Sequence, residues 1–171
     1  MPAADRPDNE QERLRALHEL DLLDTEPEAE FDELVRRAAE ATGAPIAVIT
    51  LVDESRQWFK ARVNLELQTS DRDVSFCAHA ILAPDDITVV PDTLQDERFA
   101  DNLLVTEDPN IRFYAGAPIF TPDGYPIGTL CVIDAAPRGL TDEQADALRE
   151  LAAEVSRQIE RRRLDRARDA G

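Results

Sequence analysis

The chain has 171 residues, 43% of them hydrophobic, and a formal net charge of −17 from 36 acidic against 19 basic side chains. That length and apolar content suit one domain with a single sizeable core and exclude a wholly disordered chain. The acidity argues against nucleic acid and anionic membrane surfaces, which repel like charge.

No apolar run approaches the roughly 20 residues of a membrane-spanning helix. Residues 1–10 are too polar for a secretory signal, and Cys77 and Cys131 sit in apolar contexts as expected of buried, reduced thiols. We therefore expect a cytoplasmic location. Lys60 is the only lysine among the 19 cations, a bias that either genome composition or adaptation to high salt would produce.

Residues 1–8, with two prolines and three charges, read as a disordered lead-in. Asn9 and Glu12 then open a helix over about 9–20 with Leu14, Leu17 and Leu20 on its apolar face. Thr25 as N-cap, Pro27 in the first turn and Glu28 three residues on predict a second helix. Its stripe is Phe31, Leu34, Val35, Ala38 and Ala39, and Gly43 ends it. Residues 44–52 and 57–63 flank a polar turn as a β-hairpin, with Ile46, Val48, Thr50 and Val52 alternating against Ala47, Ile49 and Leu51. Residues 64–73 read as loop. Ser75 caps a short helix that places Phe76, Ala80 and Ile81 together and offers Cys77 and His79 on a polar flank.

A short strand at 87–90 precedes about twenty acidic residues, 91–111, carrying Leu94, Phe99, Leu103, Leu104 and Val105 and a possible helical turn at 96–101. A connection this long inside one domain is usually a lid or binding loop. Residues 113–120 and 127–133 form the second hairpin around the turn Thr121-Pro122-Asp123-Gly124-Tyr125-Pro126. Phe113, Ala115, Ala117 and Ile119 share one face and Tyr114, Gly116, Pro118 and Phe120 the other, while Ile127, Thr129, Cys131 and Ile133 oppose Gly128, Leu130 and Val132. Both faces are largely apolar, as in a sheet covered on both sides. Gly116 and Gly128 leave room for a ligand or a backbone. Thr141 and Gln144 then box the start of a long helix to about 167, whose last two turns lack apolar partners. The division is a lead-in at 1–8 and one domain at 9–168: helices to 42, sheet and pocket loops over 44–134, and a terminal helix over 141–167.

The segments at 13–25, 46–60 (IAVITLVDESRQWFK), 75–81 (SFCAHAI), 89–92, 99–102 and 112–134 (RFYAGAPIFTPDGYPIGTLCVID) together resemble the GAF domain superfamily, in particular bacterial sensor GAF domains. The resemblance spans about residues 10–160. It implies an α+β fold: a mostly antiparallel six-stranded sheet with the terminal helices on one face and a small-molecule pocket, roofed by loops and short helices, on the other. It also implies a homodimer formed through the terminal helices. One departure is Leu103, where related domains often carry proline. No kinase, cyclase or phosphatase region follows the last helix, so output is expected through a histidine kinase or cyclic-di-GMP signalling partner, or from the rest of a longer protein.

The candidate ligand-binding residues are Phe76, Cys77, His79, Asp92, Phe99, Arg112, Tyr114, Gly116 and Thr129. Cys77 and His79, two apart on a helix, do not share a face, so neither a joint metal site nor a Cys–His couple is favoured. Each either lines the pocket or packs structurally. Bilin-binding relatives carry Cys followed directly by His, whereas Ala78 intervenes here, which argues against bilin. His18 and His79 are too few for a zinc cluster, and haem would rest on His79 alone. Cyclic-nucleotide relatives carry an Asn-Lys…Phe…Asp-Glu signature that the single Lys60 does not support. Arg112 either meets a ligand carboxylate or phosphate or pins the loop through a neighbouring Asp. The leading function is thus a non-catalytic sensor of an unidentified small molecule. The alternatives are a Cys77/Cys131-dependent free methionine sulfoxide reductase and a dimerisation scaffold with a vestigial pocket.

Overall fold

A computed structural model describes residues 3–170, with side chains as far as 169. The elements run α1 (Glu10–Glu19), α2 (Ala29–Thr42), β1 (Ile46–Val52), β2 (Arg56–Val63), β3 (Thr69–Asp71), α3 (Phe76–Ala80), β4 (Thr88–Val90), α4 (Leu103–Thr106), β5 (Phe113–Phe120), β6 (Pro126–Asp134) and α5 (Asp142–Ala170). The strands form one six-stranded sheet in the order β3-β2-β1-β6-β5-β4, antiparallel at every pairing. This is the expected α+β arrangement.

Period-two alternation sends each strand's neighbours to opposite layers. Ala47, Ile49, Leu51, Phe113, Ala115, Ala117, Ile119, Leu130 and Val132 face α2 and α5, meeting Phe31, Leu34, Val35, Leu148, Val155 and Ile159. Val48, Val52, Tyr114, Cys131 and Ile133 face the other way, against Phe76, Phe99 and Val105. Ile127 departs from its expected face. The register shifts between Ile119 and Phe120, so Gly128 pairs with Ile119 and Pro126 with Phe120, and Ile127 joins the helix-side core.

The start of α2 is a second departure. It begins at Ala29, and neither Thr25 nor Glu28 caps it. Both serve the Lys60 ammonium instead. That side chain is wholly buried, with Nζ 2.6 Å from Glu28 Oε2, 2.7 Å from Thr25 Oγ1 and 2.7 Å from the Glu26 carbonyl. Leaving a buried ammonium unpaired costs several kcal/mol, more than the ~1 kcal/mol of a good N-cap. Arg162 of α5 adds Nε at 2.8 Å from Glu28 Oε2.

Elsewhere the local signals operate as read. Gly43 ends α2 at φ +70, and Thr141 and Gln144 exchange backbone-to-side-chain bonds of 2.9 and 3.1 Å at the start of α5. The expected loop at 64–73 contains β3 and a single 3-10 turn at 72–74, because Arg56, Gln57 and Trp58 of β2 pair with residues 69–71. Met1 and Pro2 of the lead-in lie outside the described residues. Ala4 packs against the pocket-side core and Arg6 pairs with Glu10 at 3.1 Å. Beyond Arg162 the side chains of α5 are exposed as far as 169, Leu164 among them, as the missing apolar partners suggested.

Candidate functional site

Helix α3 is held on the sheet by Ser75, which accepts from Ala78 N at 3.0 Å and donates to Gln57 Oε1 of β2 at 2.7 Å. Over it lies the connection 91–111, and polar side chains fix its course. Asp92 accepts from Leu94 N at 3.1 Å, and Thr93 Oγ1 donates to the Ile111 carbonyl at 2.7 Å. Asn102 caps α4 through Leu104 N at 2.8 Å and donates to the Val74 carbonyl at 3.0 Å. Leu103 is thus the first residue of α4, a position that accepts proline without losing a hydrogen bond.

Arg112 donates to the carbonyls of Val105 at 2.8 Å and Ile111 at 3.2 Å. It pins the loop, as one reading held, but through backbone oxygens and not through an Asp. Asp92 and Arg112 therefore support the roof.

Beneath the roof the aromatic side chains form a stack. Phe76 lies parallel to Phe99 with ring centroids 4.1 Å apart and tilts against Tyr114 at 5.2 Å. His79 meets Phe99 edge-on at 4.9 Å. Its ring is held below its ordinary pKa by burial and by the nearby Arg98.

Cys77 is buried, contrary to its expected polar flank. It points at the sheet, where its Sγ lies 3.1 Å from Thr129 Oγ1 and accepts from the Tyr114 hydroxyl at 3.3 Å. Cys131 Sγ is 3.9 Å from Thr50 Oγ1. Two thiols, two threonines and a phenol thus form a polar knot inside an apolar layer. The vacancy expected over Gly116 is taken by Tyr114 itself, since a Cβ there would stand 2.2 Å from the Tyr114 hydroxyl. Over Gly128 it is taken by the Thr50 carbonyl, 1.8 Å from such a Cβ.

Beside the knot lies a cavity of about 40 Å³, room for two or three waters. Val48, Phe59, Phe76, Cys77, Tyr114 and Cys131 wall it from the sheet and α3, and Leu65, Leu67, Leu104 and Pro109 from the connections. No lining side chain is a carboxylate, ammonium, guanidinium or imidazole. Leu67 is exposed, so the cavity reaches the surface beside it. Larger grooves of about 550 and 690 Å³ flank the end of α5. Both are open and charged, and Glu28 and Arg162 of the first are already paired, so the small cavity is the better candidate.

Of the nine expected residues, Phe76, Cys77 and Tyr114 reach the cavity; Thr129 backs Cys77, Phe99 backs Phe76, His79 backs Phe99, and Gly116 lies beneath Tyr114. Val48, Thr50 and Ile133 were missed although their alternation on β1 and β6 already put them on that face. Leu65 and Leu67 carried only one signal, an apolar pair in a polar loop. Among the described residues no three of His, Cys, Asp and Glu come together as a metal site, and no helix is long and apolar enough to cross a membrane.

The model of the GAF domain matches residues 26–159. The chain is 42% identical over 144 residues to a cyclic di-GMP phosphodiesterase of Pseudomonas aeruginosa, covering 84% of this chain but only 24% of that protein. Among solved structures, the blue-light-absorbing PixJ GAF domain of Thermosynechococcus elongatus superposes with TM-score 0.65 at 21% identity, over 92% of this chain and 94% of that one. A domain of a putative two-component sensor histidine kinase from Sinorhizobium meliloti gives 0.62 at 16%, over 81% and 94%. The match over most of the chain, joined to a six-stranded antiparallel sheet helical on one face and roofed on the other, places the chain in the GAF domain family.

Proposed function

We propose that this domain is a non-catalytic sensor whose ligand is small, neutral and apolar, and that it acts as a cytoplasmic homodimer in histidine-kinase or cyclic-di-GMP signalling. The observation that carries this is the cavity wall, which has apolar side chains, a few hydroxyls and thiols and one amide but no cation. A phosphate or carboxylate ligand would lose its hydration there with no ion to replace it. The same argument weighs against free methionine sulfoxide, whose ammonium and carboxylate would find no partner. A bilin does not fit either: Cys77 is enclosed by Tyr114 and Thr129, and about 40 Å³ holds no tetrapyrrole.

Transmission follows from the sheet. Cys131 faces the cavity and its neighbour Val132 faces α2 and α5, so a shift of β6 moves both layers. The signalling setting is supported by the named activity of the relative, of which this chain spans about a quarter.

Thermal unfolding under xenon and with iodide, its isoelectronic anion, tests the reading, because a single apolar atom suits a cavity of about 40 Å³. Xenon should raise the midpoint, by about 0.4 kcal/mol of stabilisation at a concentration equal to its Kd, and Val48→Phe should abolish the rise. Equal rises with both, or none with either, would sink the reading. The second outcome would favour the scaffold with a vestigial pocket, which the smallness of the cavity also supports.

A further inference from the structure

We propose that Cys77 and Cys131 are a peroxide-responsive dithiol, with Cys77 as the attacking sulfur and Cys131 as the resolving one. The inference rests on the reading that this cavity is the input site and goes beyond it in assigning chemistry to the occupant. Both sulfurs line the same cavity, although they lie on α3 and β6, far apart in sequence. The Tyr114 hydroxyl lies over Gly116, which pairs with Cys131 across β5 and β6, and donates to Cys77 at 3.3 Å, so the two thiols stand beside one another; the Thr129 hydroxyl adds a contact of 3.1 Å to Cys77. Such donors ready a sulfur to carry negative charge. Burial opposes ionisation of Cys77, but the Cys131 thiol and the hydroxyls of Thr129 and Tyr114 outweigh it and bring the thiol down to about 7. Its hydrogen bond to Cys77 and its burial push Cys131 up. One thiolate beside one thiol is the division of roles that disulfide formation uses.

Size selects the oxidant. A cavity of about 40 Å³ admits a molecule of two heavy atoms such as hydrogen peroxide without rearrangement, whereas a disulfide or a quinone would have to part the walls.

The Cys77 thiolate attacks one peroxide oxygen. An S–O bond forms, the O–O bond breaks, and the departing hydroxide takes up the proton Cys77 released, giving water. The Cys131 sulfur then attacks Cys77, the S–S bond forms as the S–O bond breaks, and the hydroxyl leaves with the Cys131 proton as a second water. Peroxide gains two electrons and the two thiols lose them.

The test uses the whole reduced chain treated with one equivalent of hydrogen peroxide. The proposal expects both free thiols to disappear, the mass to fall by two hydrogens, and digestion to yield the Cys77 and Cys131 peptides joined within one chain. Cys131→Ser should stop at a sulfenic acid on Cys77 that dimedone traps, and Cys77→Ser should react roughly tenfold more slowly or less. A bulky maleimide should label the folded protein far more slowly than peroxide oxidises it.

Thiols that survive, a cross-link between chains, or maleimide labelling as fast as oxidation would overturn the proposal, the last because entry would then be through unfolding. The xenon shift on the same preparation separates the two readings. Oxidation failing while xenon still binds removes this inference alone, and a disulfide formed without any xenon shift removes the ligand reading while leaving the dithiol.

Discussion

The Tyr114 phenol settles what the face around Gly116 can do, because it folds over the glycine and turns its hydroxyl to Cys77. Tyr114→Phe should therefore cost about 0.5–1.5 kcal/mol in denaturant unfolding and raise the Cys77 thiol, read by the pH dependence of its oxidation by hydrogen peroxide in the folded protein. Gly116→Ala should cost about 1–3 kcal/mol by overpacking, and most of that loss should vanish in a Tyr114→Leu background, where the clashing atoms are gone. Additive losses in that cycle would show that the glycine serves the backbone instead. This detail was out of reach in the sequence. The alternation that set Tyr114 and Gly116 on one face was legible, but whether the ring stands up from the sheet or lies along it depends on α3 arriving above. For the same reason Phe76, Cys77 and Tyr114 were recognised as site residues while Leu65 and Leu67, placed by a loop, were not.

Among the elements, the junction of the segment before α2 with β2 and α5 shows where local rules yield to tertiary ones. Thr25 and Glu28 carry a capping signature that the buried Lys60 overrides. Replacing Glu28 by Ala should cost about 3–5 kcal/mol, since the buried ammonium loses its carboxylate. Lys60→Met should cost less, because Glu28 keeps Arg162. Chemical denaturation of the pair decides, and the reverse order would contradict this account. The two hairpins, α2 and α5 were legible from their apolar periods, with Gly43 and the Thr141–Gln144 pair marking true helix ends. Strand β3 was not: its three residues, Thr69, Ser70 and Asp71, are polar and gain their strand geometry only from pairing with β2.

For the whole molecule, acidity sets how stability follows pH. Burial raises the pKa values of Glu28, Glu10 and Asp53, but their partners outweigh it and hold all three below the ordinary carboxylate range: Lys60 and Arg162 for Glu28, Arg13 and Arg72 for Glu10, His18 and Arg56 for Asp53. With folded values depressed, the unfolded chain binds more protons in acid. This stability is complete above about pH 5 and is lost as pH falls through the folded values. His79, depressed by burial, adds a loss beginning below about pH 6.5. Denaturant midpoints should therefore fall steadily from pH 7 to pH 4, and Glu28→Gln should flatten the acid part. A midpoint that rises on acidification would mean that relief of the −17 net charge dominates the paired carboxylates.

The whole arrangement is a sheet four strands of which, β1, β2, β5 and β6, touch a cavity without cations on one side and the helix-side core on the other. Amide hydrogen exchange with and without xenon under pressure tests that arrangement most directly. The account predicts added protection in α3 and the 91–111 roof together with altered exchange in α2 and α5. Protection confined to the roof, or exchange unchanged throughout, would contradict it.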